Sequence, residues 1–343
     1  MSLKRSHTAY FWMLLALLII SFLVNISLGS VSIPFKEIIA TLFGGDTTKE
    51  TWHFILLDYR MPKAFTAVLT GSGLAIAGLL MQTLFRNPLA GPFVLGLSSG
   101  ASLGVAILIL GAGSLTGFVG GALMSQWSLV LASALGSFLV LLAVLTVTLK
   151  IKDTMAILII GLMFGSVTAA VVSVLSYFTN AEKLQQYIFW SFGSLGNQTW
   201  SGVGILTAIC LLGILMAFAS GKSLNALLLG ENYAKSMGVR MKRTTIFIIL
   251  ATSLLAGGIT AFVGPIAFVG LAVPHITRQF FKTSNHFVLL PAVMLCGSIL
   301  MLLCDTVAQL PYSEYTLPIN AITSLLGAPV VIWLLVRKRK LLF

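Results

Sequence analysis

A chain of 343 residues that is 58% hydrophobic and only 9% charged, with a mean hydropathy of +1.02, lies far outside the range of soluble domains. Apolar runs recur from end to end without the period-two alternation of a membrane barrel, so the expected fold is all-α, a polytopic membrane helical bundle. The formal charge of +12 raises nucleic acid as a partner, and only the placement of the cations can decide that.

In chain order the runs fall at about 10–29, 64–85, 93–111, 126–148, 155–177, 201–220, 244–264, a short one at 272–281, then 286–310 and 318–336, which predicts ten crossings. The first follows Lys4 and Arg5 but is about 20 residues long, above the 7–15 of a signal-peptide core, and reads as a retained helix. Ten crossings put both termini on one side. On that side fall sixteen Lys and Arg, from Lys4 and Arg5 through Arg86, Lys150, Lys152, Lys222, Lys235, Arg240–Arg243, Arg278 and Lys282 to Arg337–Lys340. The other side has five: Lys36, Lys49, Arg60, Lys63 and Lys183. Cytoplasmic loops are the Lys/Arg-rich ones, so the expectation is a multi-pass protein of the cytoplasmic (inner) membrane with both termini in the cytoplasm, its basicity explained by the lipid bilayer and not by nucleic acid. The opposite face is mixed, with Glu37, Asp46, Glu50, Asp58, Glu182 and Glu314.

Asp305 is the acid placed within a span, either as a helix-end residue near the interface or as an intramembrane proton site. Cys210, Cys296 and Cys304 all sit in apolar runs without close partners and read as small buried hydrophobes, so no metal site is expected. An internal echo joins "LTGSGLAIAG" (69–78) to "LAGGITAFVG" (255–264): Leu69/Leu255, Gly71/Gly257, Ala75/Ala261, Gly78/Gly264 and then Pro88/Pro274 share one offset. The two segments run in opposite directions in the ten-helix scheme, as in an inverted-topology transporter repeat. The whole chain, 1–343, is then one transmembrane domain with halves at about 64–177 and 244–336, and a long connection at about 221–243. The small residues at Gly71, Gly73, Ala75, Ala77 and Gly78 are those of ordinary close span packing.

Between the second and third runs the chain interrupts itself with "LFRNPLAGPFVLG" (84–96). Arg86 sits where positive charge is favoured, Pro88 and Pro92 start the next segment, and Gly91 and Gly96 allow a tight non-helical path. A plain turn and a moving, substrate-facing broken segment both use such residues. With "RMPK" at 60–63 and Gln82 before it, this stretch resembles the signature of the FecCD-type permeases, membrane subunits of binding-protein-dependent ABC importers for iron siderophores, haem and cobalamin. "GPIAFVGLAVPHITR" (264–278), "WSFGSLGNQTW" (190–200), "LGENYAKSMGV" (229–239) and "GAPVVIWLL" (327–335) are similar to further motifs of that family, so the resemblance covers essentially the whole chain. Arg86, Asn87, Pro88, Gly264, Pro274 and His275 carry its structural motifs.

The resemblance implies a transport permease and not an enzyme. No G-x-x-x-x-G-K-[ST] loop occurs in the sequence, so ATP and Mg belong to partner subunits and no cofactor is expected on this chain. The implied partners are a second permease subunit (a homodimer, or half of a heterodimer), two ABC ATPase subunits and a soluble substrate-binding protein. "NALLLGENYAKSMGVR" (225–240) reads as a short helix with Leu227, Leu228, Ala234 and Met237 on one apolar side and Gly238 as its stop. By resemblance this is the coupling helix for the ATPase, with Leu229, Gly230, Glu231, Ala234, Met237 and Gly238 as its residues; an amphipathic loop lying on lipid is the alternative.

On the outer face the resemblance implies docking of the binding protein at Arg60 and Lys63, although Lys63 stands where the family has arginine and Gln309 replaces a further cation. Snorkelling interfacial cations are the alternative there. It also implies a pathway lined by the fifth and tenth spans, here Met163, Ser166, Thr168, Ser173, Asn320, Thr323 and Ser324. A lining without charge suits a bulky chelate better than a bare ion. Ferric siderophore is the leading cargo expectation, with haem and cobalamin sharing the pattern. Two other classes are kept: an ion-coupled secondary transporter, for which Asp305 is the sole candidate, and an intramembrane enzyme, for which His275 could serve as a base but has no carboxylate or nucleophile spaced with it.

Overall fold

The structure, a computed structural model of the chain, describes residues 2–31, 33–42, 45, 49–111, 125–150, 154–196, 198–311, 313 and 315–337. Lys152, Lys338, Arg339 and Lys340, used above to orient the chain, and Asp46 and Glu314 of the opposite face lie outside the described residues.

The described residues form helices and connections without a strand. In order these are α1 (Ser2–Ser27), α2 (Phe35–Leu42), α3 (Glu50–Phe54), a π-helical turn (Ile55–Arg60) leading straight into α4 (Met61–Leu84), a 3-10 turn (Pro92–Leu95), α5 (Leu97–Ile109), α6 (Gln126–Lys150), α7 (Thr154–Tyr177), α8 (Ala181–Ser191), α9 (Trp200–Ala219), α10 (Gly221–Leu228), α11 (Glu231–Ser236), α12 (Met241–Val263), α13 (Val269–Phe281), α14 (His286–Ala308) and α15 (Ile319–Arg337).

Each of the ten predicted runs coincides with a helix. Seven helical stretches are long and apolar enough to cross a membrane: α1, α3 with α4, α6, α7, α9, α12 and α14. The other three runs are α5, α13 and α15. At about 1.5 Å per residue, the 13 residues of α5 and of α13 reach roughly 20 Å, less than the ~30 Å of hydrocarbon. Each short helix starts just after a left-handed residue, Gly96 (φ 74) before α5 and Phe268 (φ 64) before α13. Residues 93–95 of one predicted crossing therefore belong to the 3-10 turn, and α13 begins three residues earlier than its run.

Helix α4 is the axis of the molecule. Its apolar window is 83% buried, against 22% for α1 and 11% for α7, and it packs on α14, α12, α13 and α9. Lipid tails are as apolar as leucine, so close approach has to replace hydrophobic drive, and glycine makes that approach. A Cβ on Gly71 would lie 2.2 Å from the carbonyl oxygen of Gly297 on α14, and one on Gly78 only 1.6 Å from that of Gly270 on α13. The small-residue stripe of the second run is thus the packing face expected of it. Around this centre α6 and α7 leave long apolar faces open, including Leu131, Leu135 and Leu139 on α6 and Val167 and Val174 on α7.

Candidate functional site

The expected single helix over 225–240 is two. Helix α10 ends at Leu228, Gly230 takes φ 113 and ψ 151, and α11 follows as a separate six-residue helix. A side chain at Gly230 would be strained in that conformation, which is why the apolar series could not continue through it. The break also re-sorts the apolar residues: Leu227 (2% exposed) and Ala234 (0%) pack inward and Leu228 is half-buried, whereas Leu229 (63%), Tyr233 (53%) and Met237 (60%) stand out together. Glu231 opens α11 and lies 3.7 Å from Lys235, one turn on. Gly238 (φ 84) ends the hairpin as expected, its amide donating to the Lys235 carbonyl.

The 84–96 interruption grips this hairpin. Arg86, itself at φ 47, donates from Nε to the carbonyl of Leu227 (3.2 Å) and from Nη2 to that of Leu228 (3.4 Å), placing a cation on the C-terminal carbonyls of α10. The Asn87 side chain closes a local turn by accepting from the amide of Leu89 at 2.9 Å. His275 on α13 lies with Nε2 2.7 Å from the carbonyl of Pro88, and Gln82 donates to the carbonyl of Leu271 at 3.2 Å. Arg86, Asn87, Pro88 and His275 therefore form one junction. Pro274 is buried beside His275, and Gly264 (φ 78) stands at the far end of α12, where a Cβ would come within 2.9 Å of the Trp190 carbonyl oxygen.

A second polar cluster in the same region had no signal beyond a histidine at the head of an apolar run. His286, fully buried, lies with Nδ1 2.8 Å from Oδ1 of Asn225 on α10 and with Nε2 2.9 Å from Oγ1 of Thr83 on α4. Its own amide also donates to Asn225 Oδ1 at 2.8 Å.

At the opposite end the expected docking cations are interior. Arg60 is 5% exposed and donates to the carbonyls of Ile26 and Ser27 (2.9 Å each) and of Val31, closing the C-terminus of α1. Lys63 is 8% exposed and pairs with Asp305 at 3.1 Å. Asp305 (2% exposed) also accepts from Asn25 (2.9 Å) and from Gln309 (2.7 Å). Neither cation is a free interfacial charge, and the glutamine that replaces a cation is a ligand of this carboxylate. Asp305, in the last turn of α14, is therefore a paired carboxylate and not an isolated acid. Lys63 and Asp305 form part of the wall of a cavity of about 350 Å³, open between Tyr59, the 193–196 loop and the 316–319 segment.

The expected lining residues divide by their rotation on the helix. Met163 (56% exposed), Ser166 and Ser173 lie on the open face of α7, the two serines donating to the carbonyls of Leu162 and Ala169. Thr168 (5% exposed) faces inward and bonds the Gly165 carbonyl, and Thr323 (3%) is likewise buried, donating to the Asn320 carbonyl. Neither can line a pathway in this arrangement. Asn320 acts as a latch, accepting from the amide of Ala267 at 3.0 Å, and Ser324 is half-buried. On α15 the open positions are apolar instead: Leu325, Leu326, Ile332 and Trp333.

Comparison with known proteins gives the same architecture a lineage. The chain is 35% identical over 332 residues to the hemin transport system permease protein HmuU of Yersinia pestis, covering 95% of each. It is 32% identical to the vitamin B12 import system permease protein BtuC of Klebsiella pneumoniae subsp. pneumoniae, covering 98% of this chain and 96% of that one. Among solved structures it matches one described as an inward-facing conformation of a metal-chelate type ABC transporter, with a TM-score of 0.83, 29% identity and coverage of 96% and 99%. The model of the FecCD transport family matches residues 17–337. With motifs, helix order and full-length similarity in agreement, the chain belongs to the FecCD transport family.

Proposed function

We propose that this permease carries a ferric siderophore or a related bulky chelate, haem and cobalamin being the alternatives, through an ABC importer of the cytoplasmic membrane. The importer pairs this subunit with a second permease, a homodimer or half of a heterodimer, two ATPases and a soluble binding protein. Both termini and the α10–α11 hairpin face the cytoplasm, where ATP and Mg are held by the ATPases.

The observation that carries the reading is the hairpin. Leu229, Tyr233 and Met237 project from a short two-helix unit whose other side is fixed to the bundle by Leu227, Ala234 and Arg86. An apolar knob on a clamped base suits insertion into a cleft of a soluble partner, where a few buried anchors supply most of the binding energy. A hairpin floating on lipid would have no need of the clamp. The cargo reading rests on the uncharged, open face of α7 and on the relatives, whose names cite hemin, vitamin B12 and metal chelates. At the other end Arg60 and Lys63 contribute through the shape they hold, and docking of the binding protein falls to exposed groups around the cavity such as Tyr59 and Phe189.

The test is reconstitution of the permease with its ATPase and binding protein in liposomes, titrated with ferric siderophore, haem and cobalamin. The expected result is binding-protein-dependent ATP hydrolysis and uptake stimulated by one of these, with ATPase association lost on Tyr233→Asp. Uptake that needs no ATPase and follows a proton gradient would refute the reading.

A further inference from the structure

We propose that Asn225, His286 and Thr83 form a releasable link through which movement of the α10–α11 hairpin is passed to the central helix α4. This rests on the reading of that hairpin as the ATPase contact.

The hydrogen-bond roles in the cluster follow from its backbone partners. The amide of His286 donates to Asn225 Oδ1, which fixes that atom as the oxygen, and Asn225 Nδ2 donates to Asn285 Oδ1, itself fixed as oxygen by the amide of Phe287. Asn225 Oδ1 only accepts, so a neutral imidazole carries its proton on Nδ1 and presents a bare Nε2 to Thr83. The Thr83 hydroxyl, however, lies 2.9 Å from His286 Nε2 and 2.9 Å from the carbonyl of Leu79 on its own helix. Its one proton serves one of these acceptors at a time.

That choice gives the link two states. With the proton on the His286 side, α10 and α14 are bonded to α4. With the proton turned to Leu79, Thr83 remains satisfied within α4, and the imidazole with Asn225 of α10 is released from it at this end of α14. A buried bond that is to break during a transport cycle leaves an orphaned donor on most side chains, and Thr83 avoids that. The geometry is also connected at both ends: Asn225 lies in α10, which carries the exposed knob, and Thr83 lies three residues before Arg86, which holds the carbonyls of Leu227 and Leu228.

The experiment uses the whole importer in liposomes and reads cargo taken up per ATP hydrolysed, which a merely structural contact would leave unchanged. Thr83→Val keeps the methyl group and shape but removes the hydroxyl; Thr83→Ser keeps the hydroxyl and removes the methyl. The expected result is that Thr83→Val retains ATPase association but loses about five- to tenfold in uptake per ATP, the scale of one buried hydrogen bond, while Thr83→Ser stays near the parent. His286→Gln, which can present a donor and an acceptor, should keep more coupling than His286→Leu. An unchanged ratio in Thr83→Val, or an equal fall in Thr83→Val and Thr83→Ser, overturns the link. Failure of Tyr233→Asp to release the ATPase would instead overturn the reading of the hairpin, so the two failures are distinguishable.

Discussion

Replacing Asp305 by Asn should destabilise the protein far more than replacing Lys63 by Met, and replacing both by apolar residues should restore most of the loss. The Lys63 and Asp305 side chains are 10% and 3% exposed, and the Lys63 ammonium has Asp305 as its ion-pair partner. Asp305→Asn leaves that ammonium buried without a counter-charge, a change that costs about 3–5 kcal/mol. Lys63→Met leaves the carboxylate, but Asn25 and Gln309 still donate to it, so the expected cost is about 1–3 kcal/mol. The double variant Lys63→Met with Asp305→Leu buries no charge and should lie within about 1 kcal/mol of the parent. With roughly 2.1 cal/mol/K per residue over 343 residues, 1 kcal/mol moves the midpoint by about 1.4 °C, so Asp305→Asn should lower it by about 4–7 °C. Thermal unfolding of the purified protein in detergent, followed by tryptophan fluorescence, measures all three. Additive losses, or an Asp305→Asn protein as stable as the parent, would refute the ion-pair account. A Lys63→Met protein of normal stability that no longer responds to the binding protein would return Lys63 to a docking role.

Two further outcomes follow from packing and from the clamp. Gly78→Val has to move its new Cβ from 1.6 Å to at least 3.0 Å from the Gly270 carbonyl oxygen, a shift of 1.4 Å between α4 and α13, so its cost should reach or exceed the ~1–3 kcal/mol typical of overpacking and appear as lost yield of folded protein. Gly204→Ala, where a Cβ meets nothing within 4 Å, is the matched control and should be neutral. Arg86→Ala removes an exposed cation from the end of α10 and should cost about 0.5–1 kcal/mol locally, read as faster proteolysis at Leu229–Gly230; Arg86→Lys, which keeps the charge but not the fork, should be intermediate.

The sequence showed the seven long helices because hydrocarbon imposes a length and a composition that no other environment demands, and it marked α5, α13 and α15 by composition alone. It showed the 84–96 interruption because prolines and glycines cannot hide within a span. It did not show rotation. Thr168 and Ser166 are two residues apart on one helix, and only packing against neighbouring helices turns the first inward and the second outward. Nor did it show partners across distance: Lys63 and Asp305 are separated by most of the chain and meet only because α4 packs on α14. The split of the 225–240 segment at Gly230 is written in a single glycine, but glycine also ends helices, and the apolar residues on either side give no sign of a corner.

The interruption at 84–96 is best understood from what it touches. A turn between two spans needs only to reverse the chain, and the Asn87 side chain with Pro88 would suffice for that. Here the same few residues also reach two other elements: Arg86 holds the end of α10 and Pro88 holds His275 of α13. Arg86 adopts φ 47 although it is not glycine, a conformation that carries strain and persists only where surroundings over-determine it. The contacts that do so are the carbonyls of Leu227 and Leu228. Through Arg86 and Pro88 the end of α10 and His275 of α13 are thus held by neighbouring residues of one turn. Residues that look like punctuation between helices thus sit where the α10–α11 hairpin, the short helix α13 and the central helix α4 meet, and their contacts serve that meeting as well as the turn.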